Sequence, residues 1–184
     1  MRFHFIVNPV AGRGRTTAVL DEVQSMLREH GFEVSRYVTT CAGDAGAHVA
    51  SLEVDATDRL VVVGGDGTLR EVVNGRPAPL PWPVGIVPVG TANLVARELG
   101  MPLTLTPRPI AEALRAANPW SVDLLRLERP GADPEYAVAN VGVGLDADIV
   151  HAIGELRTKG EGSGGYIRWV RPIWDAFRAF RFPT

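Results

Sequence analysis

Residues 60–75 read LVVVGGDGTLREVVNG, the most informative stretch of the chain. The β-branched run before the glycines is typical of a buried strand, and the spacing of Leu69 and Val72 after them predicts a helix. Thr68 and Glu71 have the spacing of a capping box, which predicts that the helix begins at the threonine. The stretch is therefore predicted to form a strand, a tight glycine loop and a helix start.

The glycines of this loop, Gly64, Gly65 and Gly67, favour the binding of an anion. Glycine can adopt positive φ and lets a bulky ligand approach the backbone, where free N–H groups and the helix dipole attract phosphate. Asp66 would repel a phosphate unless it holds a cation, and Mg²⁺ bound with ATP supplies one. The alternative is a turn in which Asp66 only accepts local backbone hydrogen bonds. We favour nucleotide binding because a strand precedes the loop and a capping box follows it.

The composition indicates a globular protein of one domain, or of one domain and the start of another. Of the 184 residues, 46% are hydrophobic and 22% are charged, and the formal charge is −2, so nucleic acid is not expected as a partner. No apolar run reaches the roughly 18 residues of a membrane span, and residues 1–7 are too short for a signal peptide, so we expect a cytoplasmic protein. Cys41 is the single cysteine and the four histidines lack zinc spacing, so any metal is expected to be oxygen-bound Mg²⁺.

Strands alternate with helices over the first 117 residues. Strands are predicted at residues 3–7, 32–38, 60–63 and 84–87, and helices at residues 17–30, 44–54, 94–99 and 110–117, beside the one after the glycine loop. Asp44 is the expected cap of its helix. The alternation predicts a doubly wound parallel α/β sheet, whose ligands bind at the carboxyl ends of the strands. In the loop after the first strand, Arg13 and Arg15 could neutralise a nucleotide, or they could simply be solvated.

The pattern changes near Ser121. Residues 122–128 and 136–143 are predicted to form an antiparallel pair of strands, and residues 160–165 a flexible loop. We therefore predict an α/β nucleotide-binding domain over residues 1–120 and the beginning of a β-rich domain over residues 121–184. The last segment mixes aromatic residues and arginines, namely Trp169, Trp174, Phe177, Phe180, Arg168, Arg171, Arg178 and Arg181. This mixture suits transient contact with an anionic membrane surface, or an amphipathic helix that packs within its own domain.

Five motifs occur in one order along the chain. They are NPVAGRG at residues 8–14, Thr39 with GDA at residues 43–45, GGDGT at residues 64–68, PVGTAN at residues 88–93 and VD at residues 122–123. In this ordered set the chain resembles the diacylglycerol kinase catalytic domain family, which includes bacterial soluble lipid kinases and sphingosine kinases. GGDGT alone is less specific, since NAD kinases and phosphofructokinases have similar motifs. The resemblance implies an α/β nucleotide domain followed by a β-sandwich, with the active site in the cleft between them.

The resemblance also implies roles for individual residues. Asp66 and Asp123 match aspartates of the family's catalytic centre, and we expect them to converge on one cleft, with Asp66 facing Mg²⁺. The expected ATP-binding residues are Asn8, Pro9, Gly12, Arg13, Arg15, Thr39, Gly64, Gly65, Asp66, Gly67, Thr68, Leu69, Arg70, Thr91 and Asn93. The predicted reaction transfers the γ-phosphate of ATP to the hydroxyl of a lipid such as diacylglycerol. An NAD kinase is the alternative enzyme, and nucleotide binding without catalysis is the alternative of another class.

Two departures from the family pattern matter. Leu94 stands where many bacterial members have an aspartate. The family's β-sandwich continues well beyond the length of this chain, which stops at Thr184, and it supplies a glutamate proposed as general base and a structural Mg²⁺ site. We therefore expect a fragment that is inactive alone. An unpaired strand edge and the aromatic residues of the last segment also predict self-association of this fragment.

Overall fold

The computed structural model describes residues 1–14, 16–53, 55–76, 80–101, 103–116, 118–119, 121–158 and 167–180. Contacts divide the chain into two compact units, residues 1–139 and residues 140–184. The first unit contains the four strands of the predicted α/β domain together with all of the glycine-rich motifs. It is therefore the unit that positions the candidate site.

Four parallel strands form the main sheet of the first unit. They are β1 (Arg2–Val7), β2 (Glu33–Val38), β3 (Arg59–Gly64) and β4 (Val84–Pro88), in the spatial order β2-β1-β3-β4. Every neighbouring pair is parallel, so the carboxyl ends of all four strands meet at one edge of the sheet. The predicted α/β fold with a parallel sheet is confirmed.

Helices connect the strands and cover both faces of the sheet. They are α1 (Thr16–Glu29), α2 (Asp44–Ser51), α3 (Asp66–Asn74), α4 (Leu94–Glu98) and α5 (Pro107–Ala116), with a 3-10 turn (Ala11–Gly14) before α1. The prediction that Asp44 caps α2 is wrong. Its carboxylate accepts hydrogen bonds from the Tyr37 hydroxyl (2.6 Å) and the Thr40 N–H (2.7 Å). The N-cap position belongs to Gly43, in the left-handed region with φ 82°.

The residues of β3 alternate between two hydrophobic cores. Val61 and Val63 lie in the core under α1 and α5, which we call the α1-side core. Leu60 and Val62 lie in the opposite core, called the α3-side core, formed by Ile6, Ala45, Val49, Leu60, Val62, Leu69, Val72, Val73, Trp82 and Val95. Because both faces of the strand are buried, an apolar residue is needed at every position, which explains the continuous run 60–63.

A short antiparallel hairpin completes the first unit. β5 (Leu125–Leu127) and β6 (Glu135–Ala137) pair with Arg126 opposite Tyr136. Both strands are shorter than predicted, and Leu124 and Val138, which flank the ladder, pack against the α3-side core. By its contacts the hairpin belongs with the α/β sheet, in the unit that ends at residue 139. The division into domains 1–120 and 121–184 stays a prediction.

The second unit, as far as it is described, consists of two helices. α6 (Leu145–Thr158) lies where the sequence predicted no helix, and it packs against α7 (Ile167–Ala179). Residues 160–165, predicted to be a flexible loop, lie outside the described residues. Within the described ranges, no helix combines the length and the apolar character needed to cross a membrane. The beginning of a β-sandwich stays a prediction.

Candidate functional site

Backbone hydrogen bonds join the loops that follow β1, β3 and β4. The Asn8 N–H donates to the Val63 carbonyl at 2.9 Å. The N–H groups of Val89 and Gly90 donate to the Gly64 carbonyl at 2.9 and 3.2 Å. Three of the motifs found in the sequence therefore lie beside one another at the carboxyl edge of the sheet, where ligands of doubly wound sheets bind.

Thr39 extends this edge on the side of β2. Its N–H donates to the Val7 carbonyl at 2.9 Å, and its hydroxyl donates to the same carbonyl at 3.4 Å. The side chain is buried. Thr39 thus ties the end of β2 to the end of β1, and its role in nucleotide binding stays a prediction.

The Asn8 side chain joins the first loop to helix α3. Its Nδ2 donates to Thr68 Oγ1 at 3.1 Å, and its Oδ1 accepts a hydrogen bond from the Val10 N–H at 3.1 Å. Thr68 is buried, and a Cβ atom at Gly64 would lie only 2.6 Å from its Oγ1. Glycine is therefore required at position 64 because Thr68 fills the space that a side chain would need.

The predicted capping box at Thr68 and Glu71 is wrong. Helix α3 begins two residues earlier, at Asp66, because its first backbone hydrogen bond already runs to the Gly65 carbonyl. Thr68 therefore lies inside the first turn, where its hydroxyl bonds to another loop. The Glu71 carboxylate accepts a hydrogen bond from the Ala45 N–H at 3.3 Å, so it joins α3 to α2.

Gly65 and Gly90 allow two loops to approach closely. A Cβ atom at Gly90 would lie 2.5 Å from the Gly65 Cα, so this contact excludes a side chain. Asn93, at the end of the same loop, adopts the left-handed conformation with φ 50° and ψ 49°. Its Nδ2 donates to the Gly90 carbonyl at 2.9 Å, which holds the loop in this shape.

The Asp66 carboxylate connects the glycine loop to helix α4. Its Oδ2 accepts a hydrogen bond from the Leu94 N–H at 3.0 Å, and its Oδ1 accepts one from the Val95 N–H at 3.1 Å. These are the first two N–H groups of α4, so Asp66 caps that helix from a distant part of the chain. Asp66 is half-buried, and each oxygen keeps a second acceptor position. The alternative interpretation named local backbone donors, whereas the observed donors belong to a distant helix, and they leave part of the carboxylate unused.

An Mg²⁺ ion fits this carboxylate as a shared ligand. Mg²⁺ is usually bound by one or two carboxylates and completes its octahedron with phosphate oxygens and water. No three His, Cys, Asp or Glu side chains among the described residues form a cluster that could hold a metal alone. The metal role of Asp66 therefore stays a prediction.

Gly67 differs from the other two glycines of the loop. None of the three has positive φ, so the left-handed backbone that the sequence allowed is not used here. A Cβ atom would lie 2.6 Å from Thr68 Oγ1 at Gly64 and 3.1 Å from the Gly90 Cα at Gly65, whereas at Gly67 it would meet nothing within 4 Å. Gly67 is exposed in the first turn of α3, where the N–H groups have no intrahelical acceptor. An anion could approach these donors directly.

The remaining predicted residues of the glycine loops have mixed environments. Pro9 and Thr91 are exposed. Gly12 has φ 74° and lies against the Thr16 side chain, so the fold requires glycine there. Leu69 is buried in the α3-side core, and only its backbone could contact a ligand.

The charged predicted residues are less closely connected to the glycine loop. Arg70 donates to the Glu135 carboxylate at 2.7 Å and thereby holds the pKa of Glu135 below its ordinary value. Asp123 is exposed before β5 and forms no hydrogen bond or ion pair with any described residue, so its convergence with Asp66 stays a prediction. Arg15 and the side chain of Arg13 lie outside the described residues.

Three residues that build this edge were not among the predicted site residues: Gly90 was noted only within a motif, Leu94 only as a departure from the family pattern, and Val95 not at all. Gly90 allows the close approach of the loops, and the N–H groups of Leu94 and Val95 bind Asp66. Backbone donors leave no signal in residue type. Only the predicted helix start at residue 94 could have pointed to them.

Comparison with known proteins agrees with this arrangement. The family model described as "Diacylglycerol kinase catalytic domain" matches residues 2–127. The diacylglycerol kinase of Bacillus subtilis (strain 168) is 42% identical over 103 residues, which cover 55% of this chain and 34% of that protein. The diacylglycerol kinase of Staphylococcus carnosus (strain TM300) is 39% identical over 102 residues, covering 55% and 33%.

A crystal structure supports the same relationship. A diacylglycerol kinase from Bacillus anthracis str. Sterne aligns with a TM-score of 0.51 and 31% sequence identity, covering 60% of this chain and 39% of that one. The chain thus spans about a third of the length of the sequence relatives. With the family model matched over more than half of its residues, the chain belongs to the diacylglycerol kinase catalytic domain family.

Proposed function

We propose that this chain is the nucleotide-binding part of an ATP-dependent lipid kinase, which transfers the γ-phosphate to the hydroxyl of a lipid such as diacylglycerol. This proposal rests on the exposed first turn of α3. Gly67 is not required by the fold, and it lies between the Asp66 carboxylate and the free N–H groups of the helix. The relatives named diacylglycerol kinase support the same class of reaction.

The proposed roles follow from this geometry. The N–H groups at the start of α3 donate to phosphate oxygens, and Arg13 and Arg15 add positive charge. Asp66 would hold Mg²⁺, which would supply neutralisation of the phosphate charge. The lipid hydroxyl oxygen forms the new bond to phosphorus, the bond to the β-phosphate oxygen breaks, and a carboxylate accepts the hydroxyl proton. We assign Asp123 to the same centre.

Phosphate transfer from labelled ATP by the full-length protein tests this proposal. We expect labelled lipid when diacylglycerol is offered in mixed micelles, and a panel of other lipids with a free hydroxyl defines the preference. Asp66→Asn serves as the inactive comparison. Equal inactivity of both proteins across the whole panel would reject a lipid kinase. Labelled NAD phosphate in a parallel reaction would identify an NAD kinase instead.

Nucleotide binding without catalysis is a second candidate for residues 1–184. It is supported by the share of the relatives that the chain covers, which is about a third of their length. Calorimetry with ATP and Mg²⁺, beside a turnover assay on the same chain, separates the two candidates. We expect binding without turnover for these 184 residues. Turnover at the rate of the full-length protein would contradict this expectation.

We further propose that α7 contacts an anionic membrane surface. Its exposed apolar residues are Val170, Ile173, Trp174 and Phe177. Their spacing places them on one face, and Arg171 and Arg178 of the same helix supply positive charge. The side chains of Arg168, Trp169 and Arg181 lie outside the described residues. Binding to vesicles with phosphatidylglycerol, and not to pure phosphatidylcholine, is expected, and Trp174→Ser should weaken it. Equal sedimentation with both vesicle types would contradict charge-dependent contact.

Self-association of residues 1–184 through the same face is a separate proposal. Exposed aromatic side chains such as Trp174 and Phe177 favour burial against another surface. Light scattering over a concentration series is expected to show a rising mean mass. The rise should be smaller for Phe177→Ser. A constant monomer mass would reject self-association and leave the membrane proposal unaffected.

A further inference from the structure

The end of helix α3 is bonded to the backbone of strand β6. The Tyr136 N–H donates to Asn74 Oδ1 at 2.8 Å, and Asn74 Nδ2 donates to the Tyr136 carbonyl at 2.9 Å. A carboxamide carries one donor side and one acceptor side, as a peptide group does. Asn74 therefore pairs with β6 in the way that a residue of a neighbouring strand would.

The Asn74 carboxamide is itself held in place. Its Nδ2 also donates to the Arg70 carbonyl at 2.8 Å, one turn earlier in α3. The nearby ion pair between Arg70 and Glu135 is exposed, and exposed pairs contribute little free energy. The hydrogen bonds of Asn74 are exposed as well, but there are two of them and both go to the Tyr136 main chain, so they fix the position of β6 directly.

Apolar packing places the same hairpin against the sheet. Leu124, Tyr136 and Val138 are partly buried against the α3-side core. Leu124 directly follows Asp123 in the chain, and β5 begins one residue later. The backbone at Asp123 is therefore carried by a hairpin that is attached to α3.

Helix α3 thus has a candidate catalytic carboxylate at one end and the hairpin attachment at the other. Asp66 is its first residue and Asn74 is its last. At about 1.5 Å per residue, this rigid element spans roughly 12 Å. A change at Asn74 would move the segment that carries Asp123 relative to the glycine loop without altering either aspartate.

We propose that Asn74 is a positioning residue, which sets the distance between Asp123 and the start of α3. The inference rests on the proposed function, in which Asp66 and Asp123 act in one centre. Asn74 touches neither nucleotide nor lipid in this scheme. It acts through the main chain of Tyr136 and the pairing of β6 with β5.

Steady-state kinetics of full-length variants provide the first test. Asn74→Ala is expected to lower kcat by roughly tenfold or more, because small displacements of reacting groups are costly. KM for ATP should change by less than about twofold, since the glycine loop is intact. Arg129→Gln is the matched control, because Arg129 pairs with Glu135 within the hairpin and its replacement leaves both hydrogen bonds of Asn74 to Tyr136 in place. Its kinetics should match those of the wild type.

A double-variant comparison identifies the route of the effect. If Asn74 acts through Asp123, then Asn74→Ala should lower kcat little further once Asp123→Asn is present. Multiplicative losses in the double variant would overturn the proposal. Asn74→Asp keeps the size of the side chain and loses both donors, so it replaces the alanine variant if that protein does not fold.

Hydrogen exchange separates this inference from the proposed function. Amides of residues 122–128 should exchange roughly tenfold faster in Asn74→Ala than in the wild type or in Arg129→Gln. Unchanged exchange would overturn the positioning role, whatever the activity. A wild-type protein that phosphorylates no lipid would reject the proposed function, and faster exchange in the variant would still show that Asn74 holds this segment.

Discussion

Two aspartates lie at opposite ends of strand β3. Asp58, before the strand, accepts hydrogen bonds from the N–H groups of Arg2 (2.7 Å) and Asp55 (3.2 Å). It also lies 3.5 Å from His4 Nε2 and is 5% exposed. Asp66, after the strand, likewise accepts two backbone hydrogen bonds but is only half-buried. The two carboxylates therefore have similar bonds and different surroundings.

The difference lies in the space beside each carboxylate. Asp58 is enclosed by neighbouring side chains, among them His4, whose Nδ1 bonds to Ser35 Oγ at 2.8 Å. Near Asp66 the next residue, Gly67, faces open space. Backbone bonds alone do not separate a structural carboxylate from a functional one. Unfilled space beside a half-buried charge is the more informative feature.

Replacing Asp66, the half-buried carboxylate after β3, should give the largest effect on activity. Asp66→Asn in the full-length protein is expected to lower kcat for lipid phosphorylation by roughly a hundredfold or more, because a neutral amide is a weaker Mg²⁺ ligand and does not balance its charge. One of the two bonds to α4 is lost, so the free energy of unfolding should fall by about 1 kcal/mol. Initial rates and urea unfolding measure the two quantities. Activity within a factor of two of the wild type would remove Asp66 from the centre.

The buried aspartate should show the opposite profile. Asp58→Asn is expected to lower the free energy of unfolding by about 2 kcal/mol, because the amide leaves one buried N–H donor without an acceptor. Activity per folded molecule should stay that of the wild type, since Asp58 lies at the amino edge of the sheet. Urea unfolding and an assay at matched folded concentration check both statements. A strong loss of activity in a folded variant would show that the two ends of β3 are not functionally distinct.

The sheet, and the edge at which the glycine loops meet, could be predicted because both depend on local sequence. The run of residues 60–63 is apolar at every position, as a strand buried on both faces requires. Strands alternating with helices then place the glycine loops at one edge. Neither conclusion needs knowledge of contacts between distant residues.

The bonds within the site could not be predicted because they depend on how distant loops meet. Asp66 and the N–H group of Leu94 are 28 positions apart, and nothing in either residue type indicates the pairing. The capping box failed for a similar reason. Asn8, 60 positions away, bonds to the Thr68 hydroxyl, while Gly65 takes the position before the helix. Tertiary contacts thus override a local motif that is sterically possible.

Alanine substitutions of the loop glycines compare a filled position, Gly64, with the open space beside Gly67. Gly64→Ala is expected to lower the free energy of unfolding by about 1–3 kcal/mol, because the new Cβ overlaps the Thr68 side chain. Gly67→Ala should raise it by up to about 1 kcal/mol, since alanine favours the helix and meets no neighbour.

The same Gly67→Ala variant should bind ATP more weakly despite its greater stability. The added methyl group enters the space through which phosphate would approach the helix start. Urea unfolding and calorimetry with ATP and Mg²⁺ give both values. Unchanged affinity in the stabilised variant would mean that the open space at Gly67 is not part of the nucleotide site.

The smallest effect concerns acid stability at the buried end of β3. Burial raises the pKa of Asp58, but the hydrogen bonds from Arg2 and Asp55, together with His4, hold it below its ordinary value of 3.8. A carboxylate whose pKa is lower in the folded state contributes stability above its unfolded pKa, and this contribution is lost as the pH falls through the folded value. The free energy of unfolding of the wild type should therefore decrease below about pH 4, and Asp58→Asn should show a shallower decrease. Urea unfolding of both proteins at a series of pH values is the measurement. Parallel curves would show that the hydrogen-bonded carboxylate of Asp58 does not control acid stability.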